Sequence, residues 1–208
     1  YLDLSSLNTS SVIKMDSMFN QCFSLTSINF GNFNTSQVIS MNHLFYGCSE
    51  LTSLDLSTFN SSSVKSMDSM FRECFSLISL DLSNFRTSSV ENMNFLFTDC
   101  INLEYVDISN FDLTKASDAG YLFQNCKKLK YINFKNVIVG NSTRLVQMFE
   151  RSSEDFTYCI SNNPLIINQL KNKSCVINYC SDDWNLKIKK IISEKNICVF
   201  NCSEDDYF

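Results

Sequence analysis

The residues best suited to chemistry in this 208-residue chain are its ten cysteines. Five of them, Cys22, Cys48, Cys74, Cys100 and Cys126, follow one another at intervals of 26 residues. A thiol can ligate a soft metal, attack an electrophile or join a partner in a disulfide. Zinc sites gather their ligands at short spacings, with histidine or paired cysteine. The regular interval offers neither, and the single histidine, His43, has no counterpart in neighbouring copies. Each periodic cysteine closes an apolar group such as Met67, Met70, Phe71, Cys74. These five thiols are therefore expected to be free, buried and inert, packing as small hydrophobes. A disulfide ladder would need Cα atoms within about 7 Å, and helices side by side sit roughly 8–10 Å apart.

The other five, Cys159, Cys175, Cys180, Cys198 and Cys202, are aperiodic and lie in a polar segment with C-x4-C and C-x3-C spacing. In a secreted chain they read as disulfide staples of a small domain. Leaving one out and pairing four gives 5 × 3 = 15 connectivities, and the spacing does not choose among them. A zinc site is the alternative, better suited to a cytosolic protein. There is no nucleophile elbow, no Gly-rich phosphate loop and no metal cluster. No catalytic residue, resident metal or cofactor is expected.

The interval belongs to a repeat that must position whatever the surface carries. The third copy, from Leu54, reads LDLSTFNSSSVKSMDSMFRECFSLIS; the second starts at Ile28 and the fourth at Leu80. The copy from Val106 drifts in its middle, and the one from Ile132 loses the pattern after Phe149. Each copy opens on an alternating run such as Leu80, Leu82 and Phe85, which predicts a short strand with one face buried. A Ser/Thr/Asn linker follows, then an apolar group at offsets 0, 3, 4 and 7, which predicts a short helix. A fixed period in the twenties predicts a solenoid. The fold class expected is α/β: a leucine-rich-repeat solenoid of short parallel strands plus short helices over residues 1–150. A Cys-rich C-terminal cap covers residues 151–208, with a β-hairpin from Trp184 to Phe200. Phe33, Phe59, Phe85 and Phe111 are expected to stack as an internal spine.

The run LDLSNFRTSSVENMNFLFTDC resembles the repeat of BspA-like leucine-rich-repeat surface proteins, whose copies read close to LDLSNFDTSNVTNMSYMFYGCSSL. The resemblance covers about residues 1–150. It implies a cell-surface or secreted protein of bacteria or of parasitic or commensal protists, with a role in adhesion. It implies no catalytic residues.

Net charge is −5 with no basic cluster, which disfavours phosphate-driven nucleic-acid binding. No apolar run approaches the length of a membrane span. Leu2-Asp3-Leu4 already reads as a strand in mid-coil, so more repeats or a cap are expected upstream. Six N-x-S/T sequons, at Asn8, Asn34, Asn60, Asn141, Asn172 and Asn201, are glycosylation candidates. A chain rich in Asn, Ser and Thr also makes such triplets by chance. Sequons and aperiodic cysteines together favour an extracellular or cell-surface location in a eukaryotic microbe.

Residues between the buried strand positions should point out of the concave face. They form an Asp/Asn column, Asp3, Asn29, Asp55, Asp81, Asp107 and Asn133, stacked at about 4.8 Å per step. The column is either a negative stripe for a basic partner or Ca²⁺, or a solvated ladder of mutual hydrogen bonds. Tyr105 and Tyr131 add interface-favoured aromatics at one end. The expected function is an extracellular binding or adhesion module for a protein or cell-surface ligand, with Asn29, Asp55, Asp81, Asp107, Tyr105 and Tyr131 as its face. A structural spacer, or a filament built by end-to-end self-association, is the alternative, and an enzyme is a weak third.

Overall fold

A computed structural model describes residues 1–154, 156–160, 164–169 and 176–177. Successive repeats lie on one another in parallel. The strands are β1 (Leu2–Asp3), β2 (Ile28–Asn29), β3 (Ser79–Asp81), β4 (Tyr105–Asp107), β5 (Asp112–Leu113), β6 (Tyr131–Phe134), β7 (Ile138–Val139), β8 (Thr157–Ile160) and β9 (Val176–Ile177). They form three sheets, β1-β2, β3-β4-β6-β8-β9 and β5-β7. Through β8 the partners stand one repeat apart, as in Leu2↔Ile28, Leu80↔Val106 and Ile132↔Tyr158. These repeated short parallel strands are compatible with a repeat solenoid. The parallel sheet continues past residue 150 into β8 and β9. The hairpin expected at 184–200 lies outside the described residues.

The expected short helices are not there. Among the described residues the only α-helix is α1 (Pro164–Gln169). The segment Met67–Cys74 is instead a run of overlapping four-residue turns. Met70 N–H donates to Met67 O, Arg72 N–H to Ser69 O and Cys74 N–H to Phe71 O, at 3.2–3.3 Å. Ser69 and Glu73 hold φ of 53° and 60°, which no α-helical residue adopts. The alternate N–H groups of Met67, Ser69, Phe71 and Glu73 leave the repeat altogether. They donate to Asn92, Asn94, Leu96 and Thr98 carbonyls of the next one at 2.9–3.0 Å. The misreading has a physical cause: consecutive turns close every three to four residues, so their inward positions share the spacing of a helix face. The same wiring recurs from Met15–Gln21 to Ala119–Asn125. Parallel bridges Lys14↔Ser40↔Ser66↔Asn92↔Asp118↔Arg144 extend it without a break. We call this surface the turn wall.

The strand side is less regular. Leu54–Leu56, the strand position of the third copy, forms no strand, so the sheet is interrupted between β2 and β3. The aromatic spine also lies elsewhere than expected. Phe33 and Phe59 stack at 6.0 Å. The unbroken stack, however, is Phe19, Phe45, Phe71, Phe97, Phe123 and Phe149, at 5.1–5.6 Å with planes within 9°. These rings hang from the turn wall, whose inter-repeat hydrogen bonds fix one rise per repeat and hold the rings in register. Packing at that rise also removes the helix-distance ground for excluding a disulfide ladder.

The linker carries a third ladder. Thr9, Thr35, Ser61 and Thr87 are buried. Each hydroxyl donates to a carbonyl of the next repeat (Asn34, Asn60, Arg86 and Asp112) at 2.9–3.1 Å and accepts from that same residue's N–H at 2.7 Å. Each of these four buried hydroxyls thus both donates and accepts a hydrogen bond. No helix among the described residues is long and apolar enough to cross a membrane.

Candidate functional site

The Asp/Asn column stands where the alternation places it, but its side chains first serve the backbone. Asp3, Asn29, Asp55, Asp81, Asp107 and Asn133 each accept, through Oδ1, the N–H two residues on, at 2.9–3.1 Å. These are Asx turns, which close the strand into the linker. Two rungs are tied sideways: Asn29 Nδ2 donates to Asp3 Oδ1 at 3.2 Å, and Asn133 Nδ2 to Asp107 Oδ2 at 2.9 Å. The column is not uniformly open. Asp3, Asn29, Asp55 and Asp81 are exposed, whereas Asp107 is only 6% exposed and Asn133 4%. Tyr131 is buried, and it stacks on half-buried Tyr105 at 5.2 Å. As an accessible face the expected set therefore reduces to Asn29, Asp55 and Asp81, with Tyr105 at its margin.

Charge follows the same division. Hydrogen bonds from Ser57, the side chain first, hold Asp55 below the ordinary carboxylate value, and the Ser5 backbone does the same for Asp3. Burial pushes Asp107 the other way, against the bonds from Ser109 and Asn133.

Among the periodic thiols, Cys48, Cys74, Cys100 and Cys126 are buried and free, and Cys22 is free and half-buried. The buried four donate to the carbonyls of Phe19, Phe45, Phe71 and Phe97 at 3.0–3.2 Å. Burial pushes Cys48 up to about 12 and Cys74 and Cys100 well above the ordinary thiol value. A thiol so held is a poor nucleophile at neutral pH. Cys159 lies in β8, and Cys175, Cys180, Cys198 and Cys202 lie outside the described residues. The described residues contain no group of three or more His, Cys, Asp or Glu able to hold a metal ion.

Asn8, Asn34 and Asn60 are exposed at one linker position, and Asn141 is exposed too. Asn8, Asn34 and Asn60 each accept the N–H of the Ser two residues on at 2.9–3.1 Å. Asn172 and Asn201 lie outside the described residues.

The sequence reading missed a group on the turn wall. The Arg72 guanidinium carbon lies 5.7 Å from the Tyr46 ring and 5.6 Å from Phe95. Phe95 stacks on Tyr121 at 4.9 Å, and the Tyr46 hydroxyl donates to Glu73 at 2.8 Å. The available signal was variation within the repeat: the copies agree at inward positions and differ at these.

No characterised protein and no solved structure shows a significant match to the chain. A family model described as "Mycoplasma protein of unknown function, DUF285" matches residues 2–79 and 40–162. With its repeats matched over residues 2–162 of 208, the chain belongs to that DUF285 family.

Proposed function

We propose that this chain is a BspA-like leucine-rich-repeat solenoid serving as a non-catalytic extracellular binding or adhesion module. Its partner is a protein or a cell-surface ligand, taken on the open part of the strand face around Asn29, Asp55 and Asp81. The observation that carries the reading is the parallel one-repeat register, which sets exposed Asn29, Asp55 and Asp81 at one position of three successive repeats. Such surfaces are what stacked-repeat proteins use to bind. The Asx turns support it further, since they pre-order the carboxylates and reduce the entropy lost on binding.

The test is saturable binding of the labelled intact chain to cultured cells and to extracellular-matrix proteins. Replacing Asp55 and Asp81 with Lys should weaken binding at least tenfold. Unchanged binding would remove the strand face from consideration. A second reading, a structural spacer or filament, draws on the turn wall's unbroken hydrogen bonding along successive repeats. It expects concentration-dependent growth by light scattering, and a monodisperse monomer excludes the filament.

A further inference from the structure

A second surface lies on the turn wall, apart from the strand face. Within the repeat, positions that build the fold agree from copy to copy. The inward stack is Phe in every copy, and the Asx position is Asp or Asn in every copy. One column of the turn wall does not agree. It reads Ser17, His43, Ser69, Phe95, Tyr121, Gln147, with Ser17 and Gln147 exposed, His43, Phe95 and Tyr121 half-buried and Ser69 buried. Each of these residues has a left-handed backbone, with φ between 49° and 59°, a conformation that favours glycine or asparagine. Phe and Tyr are poor choices for such a turn, so the turn does not explain them. Inter-repeat stacking does not require them either, because Ser69 and Gln147 hold the same place with no ring.

In the middle repeats these free choices converge. Phe95 has one face on Tyr121 and the other toward Arg72, which also lies over Tyr46. The rings cover one another's faces, so the surface offers a partner their edges and the flank of a guanidinium. Aromatic residues and Arg dominate the energetic centres of protein interfaces. The rim is acidic. Glu73 and Asp99 lie 3.5 and 4.0 Å from Arg72 Nε, and Asp68 belongs to the same wall, whereas Glu150 further along is paired with Arg151 at 3.9 Å. Two carboxylates thus face one guanidinium, whose buried Nε makes no hydrogen bond among the described residues.

We propose that the turn wall around Tyr46, Arg72, Phe95 and Tyr121 is a docking surface for a basic protein segment that interleaves Arg or Lys with aliphatic side chains. The acidic rim steers and pairs the cations, and the ring edges take the aliphatic groups. Anionic partners such as nucleic acid or sulfated glycan meet like charge there.

The experiment uses the intact chain and two labelled peptides, (Arg-Leu)4 and (Glu-Leu)4, with fluorescence anisotropy as the readout. The expected result is saturable binding of (Arg-Leu)4 alone. The double variant Phe95→Ser, Tyr121→Ser changes no charge and installs the residue the same column carries at Ser69. It should weaken binding at least tenfold. Should that variant unfold, Glu73→Gln with Asp99→Asn leaves the rings and should weaken binding at least fivefold. Asp55→Asn with Asp81→Asn should leave it within twofold. Equal or tighter binding of (Glu-Leu)4, or indifference to the wall variants, overturns the proposal. So does an equal loss from the strand-face pair, which would mark binding as a response to net charge. Loss of cell binding in the strand-face test leaves this result untouched, because the two surfaces are assayed with different variants and probes.

Discussion

The turn wall and the strand face are built from the same repeats yet solve the stacking problem differently. On the turn wall, alternate N–H groups bond to the next repeat at every step, and six phenylalanines stack behind them. On the strand face, the strands are two to four residues long and the third repeat has none. The wall binds repeat to repeat at every step, whereas the face does so only where its strands pair and closes each repeat with an Asx turn. Stacked repeats do not need their sheet to be their strongest seam: whichever side satisfies most backbone groups between repeats carries the register.

The sharpest way to break this comparison is Phe71→Ala. Phe71 is fully buried between Phe45 and Phe97, and its loss should cost about 3–5 kcal/mol in urea unfolding. Asp81→Ala, which removes one exposed Asx cap, should cost about 1 kcal/mol or less. Equal effects would show that the face matters as much as the wall.

A smaller effect is expected on the strand face itself. Gly31 stands where other copies have Ser57, Ser83 and Ser109. Gly31→Ser brings the chain closer to its own repeat, yet an added Cβ would meet Ser5 Cβ at 2.5 Å, and φ is 51°. Thermal or urea unfolding should show a loss of about 1–3 kcal/mol. A gain would mean that the face is softer than it looks.

The wall should yield a gain instead. Gln147 is exposed with φ of 49°, and Gln147→Gly relieves a left-handed backbone at some cost in unfolded-chain entropy. The net expectation is stabilisation of up to about 1 kcal/mol, visible as a higher melting temperature. Destabilisation would point to a role for the Gln147 side chain.

The smallest effects concern pH, and their signs divide the strand face in two. Asp55 is held below its ordinary value, so its bonds add stability above that value and lose it as pH falls through the folded value. Asp107 is raised by burial, so its ionised form costs stability above the folded value, and that cost lifts as pH falls through it. From pH 7 towards about 3, the deficit of Asp55→Asn relative to the native chain should shrink. For Asp107→Asn the native chain should gain ground over the same range. Parallel slopes would show that the two carboxylates share one environment.

Much of this was legible in the sequence. The 26-residue interval gave the one-repeat pairing of Leu80 with Val106, and the alternation around Asp81 gave its outward place. The apolar offsets around Met67 and Cys74 gave the inward residues correctly while suggesting the wrong backbone. Spacing reports which side chains face the core, and two backbones can share that spacing. The patch at Arg72, Phe95 and Tyr121 was harder to see because nothing local marks it. Its members come from different repeats, Tyr46 from one, Arg72 from the next and Phe95 from the one after, and only stacking brings them together.

By itself the sequence determined the period, the parallel order of the repeats and the inward residues, because a repeated apolar pattern has few ways to bury itself. Tertiary structure alone decided that turns, not helices, carry the hydrogen bonds between repeats. It also decided that Asp107 is buried while Asp81 stays open, and that one arginine lies between rings of two other repeats. Each of those outcomes depends on groups a repeat or more apart in the chain, whose distance is set by the stack and not by any spacing within a single repeat.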